Sequence, residues 1–219
     1  MMRNTQEKRG LADDAYIELR EAIISGKFMP NERLIELDLA RSFGVGRAAI
    51  RTALAQLEQD GLVTRERNRG ARVRLVSEAE AVEIIEARAA LESLAVRHAA
   101  KNASEDDVTE LRSILGELQQ RYEADDLLGY SDMNSVLHRK LIQIANHATA
   151  SRLIDMLNSQ NVRFQYRTIL IPGRPERSLK EHEAIVEAVA IGDADAAEVA
   201  MRTHLSQVAE ALQGTDRKM

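Results

Sequence analysis

Ser42-Phe43-Gly44-Val45-Gly46-Arg47-Ala48-Ala49-Ile50-Arg51 decides how this chain is read. Two short helical patterns meet there at a Gly44-Val45 turn, within the longer run LIELDLARSFGVGRAAIRTALAQLEQDGLV. The second pattern opens with Arg47 and Arg51, which are four apart and share one helix face. An arginine-bearing helix start just after a tight turn is how a helix-turn-helix offers its recognition helix to DNA. Such a helix reads the major groove with its first residues, here Gly46, Arg47, Ala48 and Arg51. Arginine can grip a guanine edge or a phosphate with two parallel hydrogen bonds. The small residues Gly46, Ala48 and Ala49 would let the helix approach closely.

The flanking residues complete the motif. Residues 11–25 repeat apolar positions at Ala15, Leu19 and Ile23, with Tyr16 and Ile24 beside them, the pattern of an amphipathic helix ended by Gly26. Short helices are expected over 36–43 and 47–59, the latter packing Ile50, Leu54 and Leu57 inward, with Gly61 as its stop. In LVTRERNRGARVRLV, Leu62, Thr64 and Glu66, then Ala71, Val73 and Leu75, alternate with the period of a strand. Asn68-Arg69-Gly70 between them is turn chemistry. A two-stranded hairpin, a wing, is expected, with Arg65, Arg67, Arg69 and Arg72 able to reach phosphates or a minor groove.

Charge agrees with this division. The chain of 219 residues has a net charge of −5. Residues 1–76 carry 14 Lys+Arg against 11 Asp+Glu, a net of +3, and the remainder carries 16 against 24, a net of −8. Residues 41–74 hold 8 Arg and no Lys, opposed by Glu58, Asp60 and Glu66. Scattered charges usually form a solvated face, but arginines clustered on one motif favour a polyanion-facing surface.

From Ser77 onward the periodicity is helical. Ser77-Glu78-Ala79-Glu80 fits a capping box opening a helix of roughly 79–102, and Ser104 with Asp107 suggests another start. Further helices are expected near 105–124, 127–146, 148–169, 177–191 and 194–213. Pro172-Gly173-Arg174-Pro175 breaks the chain before the fifth, and Gly192 and Asp193 separate the last two. The expected architecture is mostly α: a winged helix-turn-helix over 1–76, then an all-α antiparallel six-helix bundle over 77–219. The chain lacks Cys, which excludes disulfides, thiolate metal sites and cysteine nucleophiles. No apolar signal core is apparent and no run approaches the about 20 residues that span a bilayer, so a cytoplasmic protein with no membrane partner is expected.

The segment LREAIISGKFMPNERLIELDLARSFGVGRAAIRTALAQLEQDGLVTRERNRGARV resembles the winged-helix domain of GntR-family bacterial transcription regulators. That family's pattern runs roughly I-x-x-G-x-x-x-P-G-x-x-L-x-E, then L-A-x-x-x-G-V-S-R-x-x-V-R-x-A-L-x-x-L-x-x-x-G-L-V and a wing ending in Gly. Residues 16–73 follow it almost throughout. Asn31 stands where the family usually has Gly, Gly46 replaces the usual Ser, and Ala48-Ala49 replace a common Thr-Pro. EIIEARAALESLAVRHAA, NSVLHRKLIQIANH and EHEAIVEAVAIGDADAAEVAMRTHL are similar to the ligand-sensing FCD domain of the FadR subfamily, and six helices fit its shorter, VanR-like branch. The resemblance implies a dimeric regulator of a palindromic operator, usually a repressor.

Three histidines, His138, His182 and His204, fall on separate expected helices, and Asn134 lies one turn before the first of them. A lone helical His is more often surface or satisfied core. Three on facing helices of a bundle suit Zn, Ni, Fe or Cu. The resemblance implies a divalent metal held at Asn134, His138, His182 and His204. It also implies that Arg88 points into an effector cavity, where a guanidinium would take a carboxylate, such as a small organic or sugar acid. From the residues alone, Arg88 reads as an i,i+4 pair with Glu92 or as an exposed charge. Arg163, Tyr166 and Arg167 are further candidates for the cavity wall, and His98 and His147 have no assigned role. Two other readings stand beside the regulator: a helical domain that only dimerises, and a metal enzyme, for which no general base or nucleophile motif is present.

Overall fold

A computed structural model gives the backbone of residues 2–66 and 70–216, and side chains for these apart from 2–11, 66, 162, 163, 165, 166, 215 and 216. The chain divides into two compact units, residues 1–76 and 77–219.

In the first unit, helix α1 (Met2–Ile24) begins well before the expected residue 11. Its Ala15, Leu19 and Ile23 are buried against Ile50, Leu54 and Leu57 of α3 (Arg47–Gln59). Between them lie β1 (Arg33–Leu34) and α2 (Glu36–Ser42). Gly44 turns the chain from α2 into α3 at φ +66°, a conformation that glycine adopts without steric cost. Tyr16 on α1 donates to Asp60 Oδ2 at 2.6 Å, tying the start of the unit to the residue that caps α3.

The wing differs from the expected hairpin. Strands β2 (Val63–Glu66) and β3 (Gly70–Val73) pair antiparallel as anticipated, but β1 adds a third strand on the far edge of β3, giving the order β1-β3-β2. Leu34 stands opposite Ala71. The face is also shifted in β2: Leu62 and Val63 are both buried and Thr64 is exposed, because Leu62 precedes the strand and so escapes its alternation. A Cβ at Gly70 would come 2.9 Å from the backbone oxygen of Leu34, and its φ is +88°. Gly70 is therefore the residue that lets β1 approach β3. Asn31, where the resembled pattern has Gly, adopts φ +62° and donates its backbone N–H to Val73 O at 2.8 Å. Asn is among the few side chains that tolerate this left-handed conformation, so the departure keeps the turn.

Among the described residues, the second unit is an all-α bundle of six helices: α4 (Glu78–Asn102), α5 (Glu105–Glu123), α6 (Leu127–Ala145), α7 (Ala148–Ile169), α8 (Arg174–Ala190) and α9 (Ala194–Asp216). Caps set their starts. The Ser77 hydroxyl accepts from Glu80 N, and Ser104 with Asp107 closes a reciprocal capping box. Asp193 accepts from Ala196 N at the head of α9. α8 begins three residues earlier than expected. Gly173 takes φ +73° as its N-cap and Pro175 sits in the first turn, where its missing N–H costs nothing. The shift matters because it places Arg174 inside the helix, buried. α4 is the central element, packed against α6, α7, α8 and α9.

Candidate DNA-binding face and candidate metal centre

Gly46 caps α3 with extended backbone (φ −72°, ψ 148°) and no side-chain bond to the helix. Gly46, Arg47, Ala48 and Arg51 are all exposed, so the first turn of α3 presents a contiguous small-and-basic surface. Both arginines lean on one carboxylate that the sequence reading passed over. Arg51 Nη2 lies 3.2 Å, and Arg47 Nη2 3.6 Å, from Oε2 of Glu36, the first residue of α2. The Arg51 hydrogen bond, against partial burial, holds the Glu36 carboxyl below its ordinary value. Such exposed pairs are weak, so the guanidinium groups can exchange Glu36 for another anion at little cost. In the wing, Arg65 sits 3.9 Å from Glu58, and Arg72 turns its Nη1 to the Asn31 carbonyl at 2.8 Å. Arg67 and Arg69 lie outside the described residues.

In the second unit three histidines converge. His138 on α6, His182 on α8 and His204 on α9 are buried, and they offer ring nitrogens within 4.8 Å of one another. Their ring centroids are 4.5 to 5.6 Å apart. Asn134, one turn before His138, has a buried Oδ1 with no partner. His138 Nε2 and both ring nitrogens of His182 are likewise buried and unpartnered. Buried polar atoms are nearly always satisfied, so converging ring nitrogens without partners, with an unpartnered amide oxygen one helical turn before His138, are donors that a metal would satisfy. Burial first, and then the charges of His204, His138 and Arg174, hold the His182 pKa well below the ordinary histidine value. His204 is held low by burial first, then by His138 and Arg174. Neutral imidazole is the form that ligates a metal. The donor set fits a divalent ion of the zinc or nickel kind.

Two carboxylates close around this cluster, and neither was singled out from sequence as part of it. Glu92 on α4 places Oε2 2.7 Å from His138 Nδ1, while its Oε1 accepts from Arg88 Nε at 2.8 Å. Burial drives Glu92 up, but Arg88 and His138 outweigh it and hold the carboxyl at about 2. Glu181 on α8 places Oε2 2.7 Å from His204 Nδ1 and takes a two-pronged grip from Arg174, at 3.1 and 2.8 Å. Burial pushes the Glu181 carboxyl above its ordinary value, with Arg174 pulling it back. The Arg88–Glu92 spacing of four was a local signal. The Glu–His contacts join different helices and left none.

Of the remaining candidates, Arg88 joins the cluster through Glu92, and Arg167 lies apart from it. Arg88 is half-buried in its pair with Glu92. Arg167 pairs with Glu78 in the first turn of α4, ten residues before Arg88 and so about 15 Å from it along the helix. Its guanidinium also lies over the Phe164 ring, 5.6 Å from the centroid. The side chains of Arg163 and Tyr166 lie outside the described residues. His98 and His147 stand edge to face, 5.3 Å apart, and His147 caps α7 by accepting from Ala150 N.

Comparison with known proteins fixes what this pair of units is. Residues 11–73 match the bacterial regulatory proteins of the gntR family, and residues 83–207 match the FCD domain. The chain belongs to the GntR family. Its curated relatives span nearly the whole sequence. The transcriptional repressor RspR of Escherichia coli K12 is 28% identical over 197 residues, 90% of this chain and 86% of RspR. The regulator YdhC of Bacillus subtilis is 29% identical over 198 residues, 90% of this chain and 88% of YdhC. The fold agrees with the solved structure of E. coli McbR/YncC, with a TM-score of 0.74 at 21% identity, covering 94% of this chain and 98% of that one. As a GntR regulator, the chain is a DNA-binding transcription factor rather than an enzyme. Among the described residues, no helix is long and apolar enough to cross a membrane.

Proposed function

We propose that this GntR regulator represses its targets as a homodimer on a palindromic operator. It reads the major groove with Gly46, Arg47, Ala48 and Arg51, and meets the backbone with the wing at Arg67, Arg69 and Gly70. Repression has its support in the relative named a repressor at 28% identity. A two-fold dimer is the usual partner of a two-fold operator. The bundle holds a divalent metal through Asn134, His138, His182 and His204, and a small carboxylate effector docks beside it against Arg88. With Arg88 Nε already on Glu92, the effector would meet the guanidinium through its two Nη atoms. Arg163, Tyr166 and Arg167 are the weaker candidates for the rest of that cavity.

One observation carries the sensor reading: His182 is fully buried among two other imidazoles, with neither ring nitrogen partnered. A bound divalent ion would supply a positive centre for the effector's oxygens. The chain's own residues orient the donors and keep water from them. Effector binding then biases the bundle between two arrangements, and linkage transmits this to DNA affinity.

Two measurements test the proposal. Zinc content of protein equilibrated with Zn(II) and then freed of excess should be near one per chain, and near zero for His182→Ala. Equal zinc in both would overturn the metal reading. Thermal-shift screening against small carboxylates, with and without Zn(II), should raise the melting temperature for at least one acid, because binding stabilises by mass action. No response to any acid would mean a helical domain that only dimerises. On the DNA side, Arg51→Ala should lose about 1–3 kcal/mol on a duplex selected from a random pool by the wild-type protein. Unchanged affinity would remove α3 from the groove.

A further inference from the structure

We infer that Glu92 and Glu181 are positioning residues which aim two of the three imidazoles at one ion, each braced by its own arginine. The inference deepens the metal reading above and rests on it. The two assemblies are built independently. Arg88 and Glu92 come from α4 and reach His138 on α6, whereas Arg174 and Glu181 come from α8 and reach His204 on α9. Each nonetheless ends in the same contact, a carboxylate oxygen 2.7 Å from a histidine Nδ1.

That contact fixes where the ring proton sits. A carboxylate engaged by arginine is ionised and has only acceptor sites. Nδ1 must therefore be the donor in both rings. In the neutral ring, the form that ligates a metal, the lone pair that remains is on Nε2, and in His138 this atom is buried without any partner. Carboxylate–histidine pairs of this kind hold the ligating tautomer and raise its basicity. The arginines have a separate task. Glu92 is completely buried, and a carboxylate there without a counter-charge would be strongly destabilising. His182 has no such brace. Complete burial alone orients it, so the cluster consists of two aimed donors and one held by packing.

The test uses the full-length chain with Co(II) as probe. Co(II) affinity is read by chelator competition and by visible absorption of the bound ion, and histidine tautomers are read by 15N NMR on metal-free protein. Metal-free wild type should show His138 and His204 protonated at Nδ1. Glu92→Gln keeps an acceptor oxygen but loses the charge, and should weaken Co(II) binding about 10- to 100-fold. Arg88→Met with Glu92→Leu removes the pair without leaving a lone charge. It should weaken Co(II) at least as much and move His138 away from the Nδ1–H form while His204 keeps it. Arg174→Met with Glu181→Leu should do the reverse. Should a double variant fail to fold, Glu92→Gln and its counterpart Glu181→Gln decide alone. Wild-type Co(II) affinity in these variants, or an Nε2–H form of His138 in the wild type, would overturn the inference. Failure of the wild type to take up Co(II) would overturn the metal reading, whereas the tautomers, read without metal, judge the braces separately.

Discussion

Both units of the molecule set glutamate against arginine, and they use the pairing in opposite ways. At the recognition helix, Glu36 faces Arg47 and Arg51, whose side chains are 60% and 57% exposed. Water and salt screen these contacts, and the arginines remain available to a stronger anion. In the bundle, Arg174 and Glu181 are 4% and 12% exposed, and Glu92 is sealed completely. There the pairs cannot dissolve into solvent, and each hands its remaining capacity to a histidine. The same chemistry is a releasable latch at the surface and a fixed brace inside.

The largest effect should come from breaking one interior brace. Arg174→Met takes the two-pronged partner from Glu181, leaving this largely covered carboxylate with His204 and the more distant charge of Arg177, and should remove up to about 3–5 kcal/mol from the bundle in urea unfolding. Glu36→Gln, its surface counterpart, should change stability by no more than about 1 kcal/mol, and that difference should shrink in high salt. Equal costs for the two substitutions would erase the distinction between latch and brace.

Between these extremes lies the half-buried pair of Tyr16 and Asp60. Burial first, and then the hydrogen bond to Asp60, push the Tyr16 hydroxyl up to about 12 from its ordinary 10. Because the folded value is the raised one, its contribution is fully present below pH 10, where both states keep the proton. It is lost as pH rises from 10 to 12, where the unfolded chain ionises first. Partial exposure limits the effect to about 1 kcal/mol or less. The difference in stability between wild type and Tyr16→Phe should therefore change across pH 10–12. A flat difference would mean that the Tyr16–Asp60 bond is screened as completely as the surface latch.

How much of this was legible in the sequence follows the same division. Local features were plain: the 47–59 helix, the Gly44 turn, the Ser104–Asp107 cap and the six helices of the bundle all rest on spacing within a few residues. The three histidines could be grouped only because they fall on different helices and match a family pattern, not because spacing shows that they meet. β1 has two residues, too few for any alternation to register. Glu92–His138 and Glu181–His204 are contacts between helices 46 and 23 residues apart, and periodicity reports a helix's face without naming the neighbour it meets. Arg174 was hidden by its place beside Pro175, which read as a break and is the first turn of α8.

The smallest expected change sharpens the outer half of the comparison. Gly46 is exposed, its backbone already has N-cap geometry, and a Cβ there would meet nothing within 4 Å. Gly46→Ser should therefore fit without strain. Its hydroxyl oxygen can accept from the N–H of Ala48 or Ala49, which stabilises the helix by a few tenths of a kcal/mol relative to glycine. A hydroxyl has a proton as well as lone pairs, so while accepting from the helix it can still donate to a phosphate. The variant should thus unfold slightly later and bind random-sequence duplex slightly more tightly. Greater stability with unchanged binding would place the start of α3 away from the DNA backbone, and Arg47 and Arg51 would then have to reach it without their cap residue at the interface.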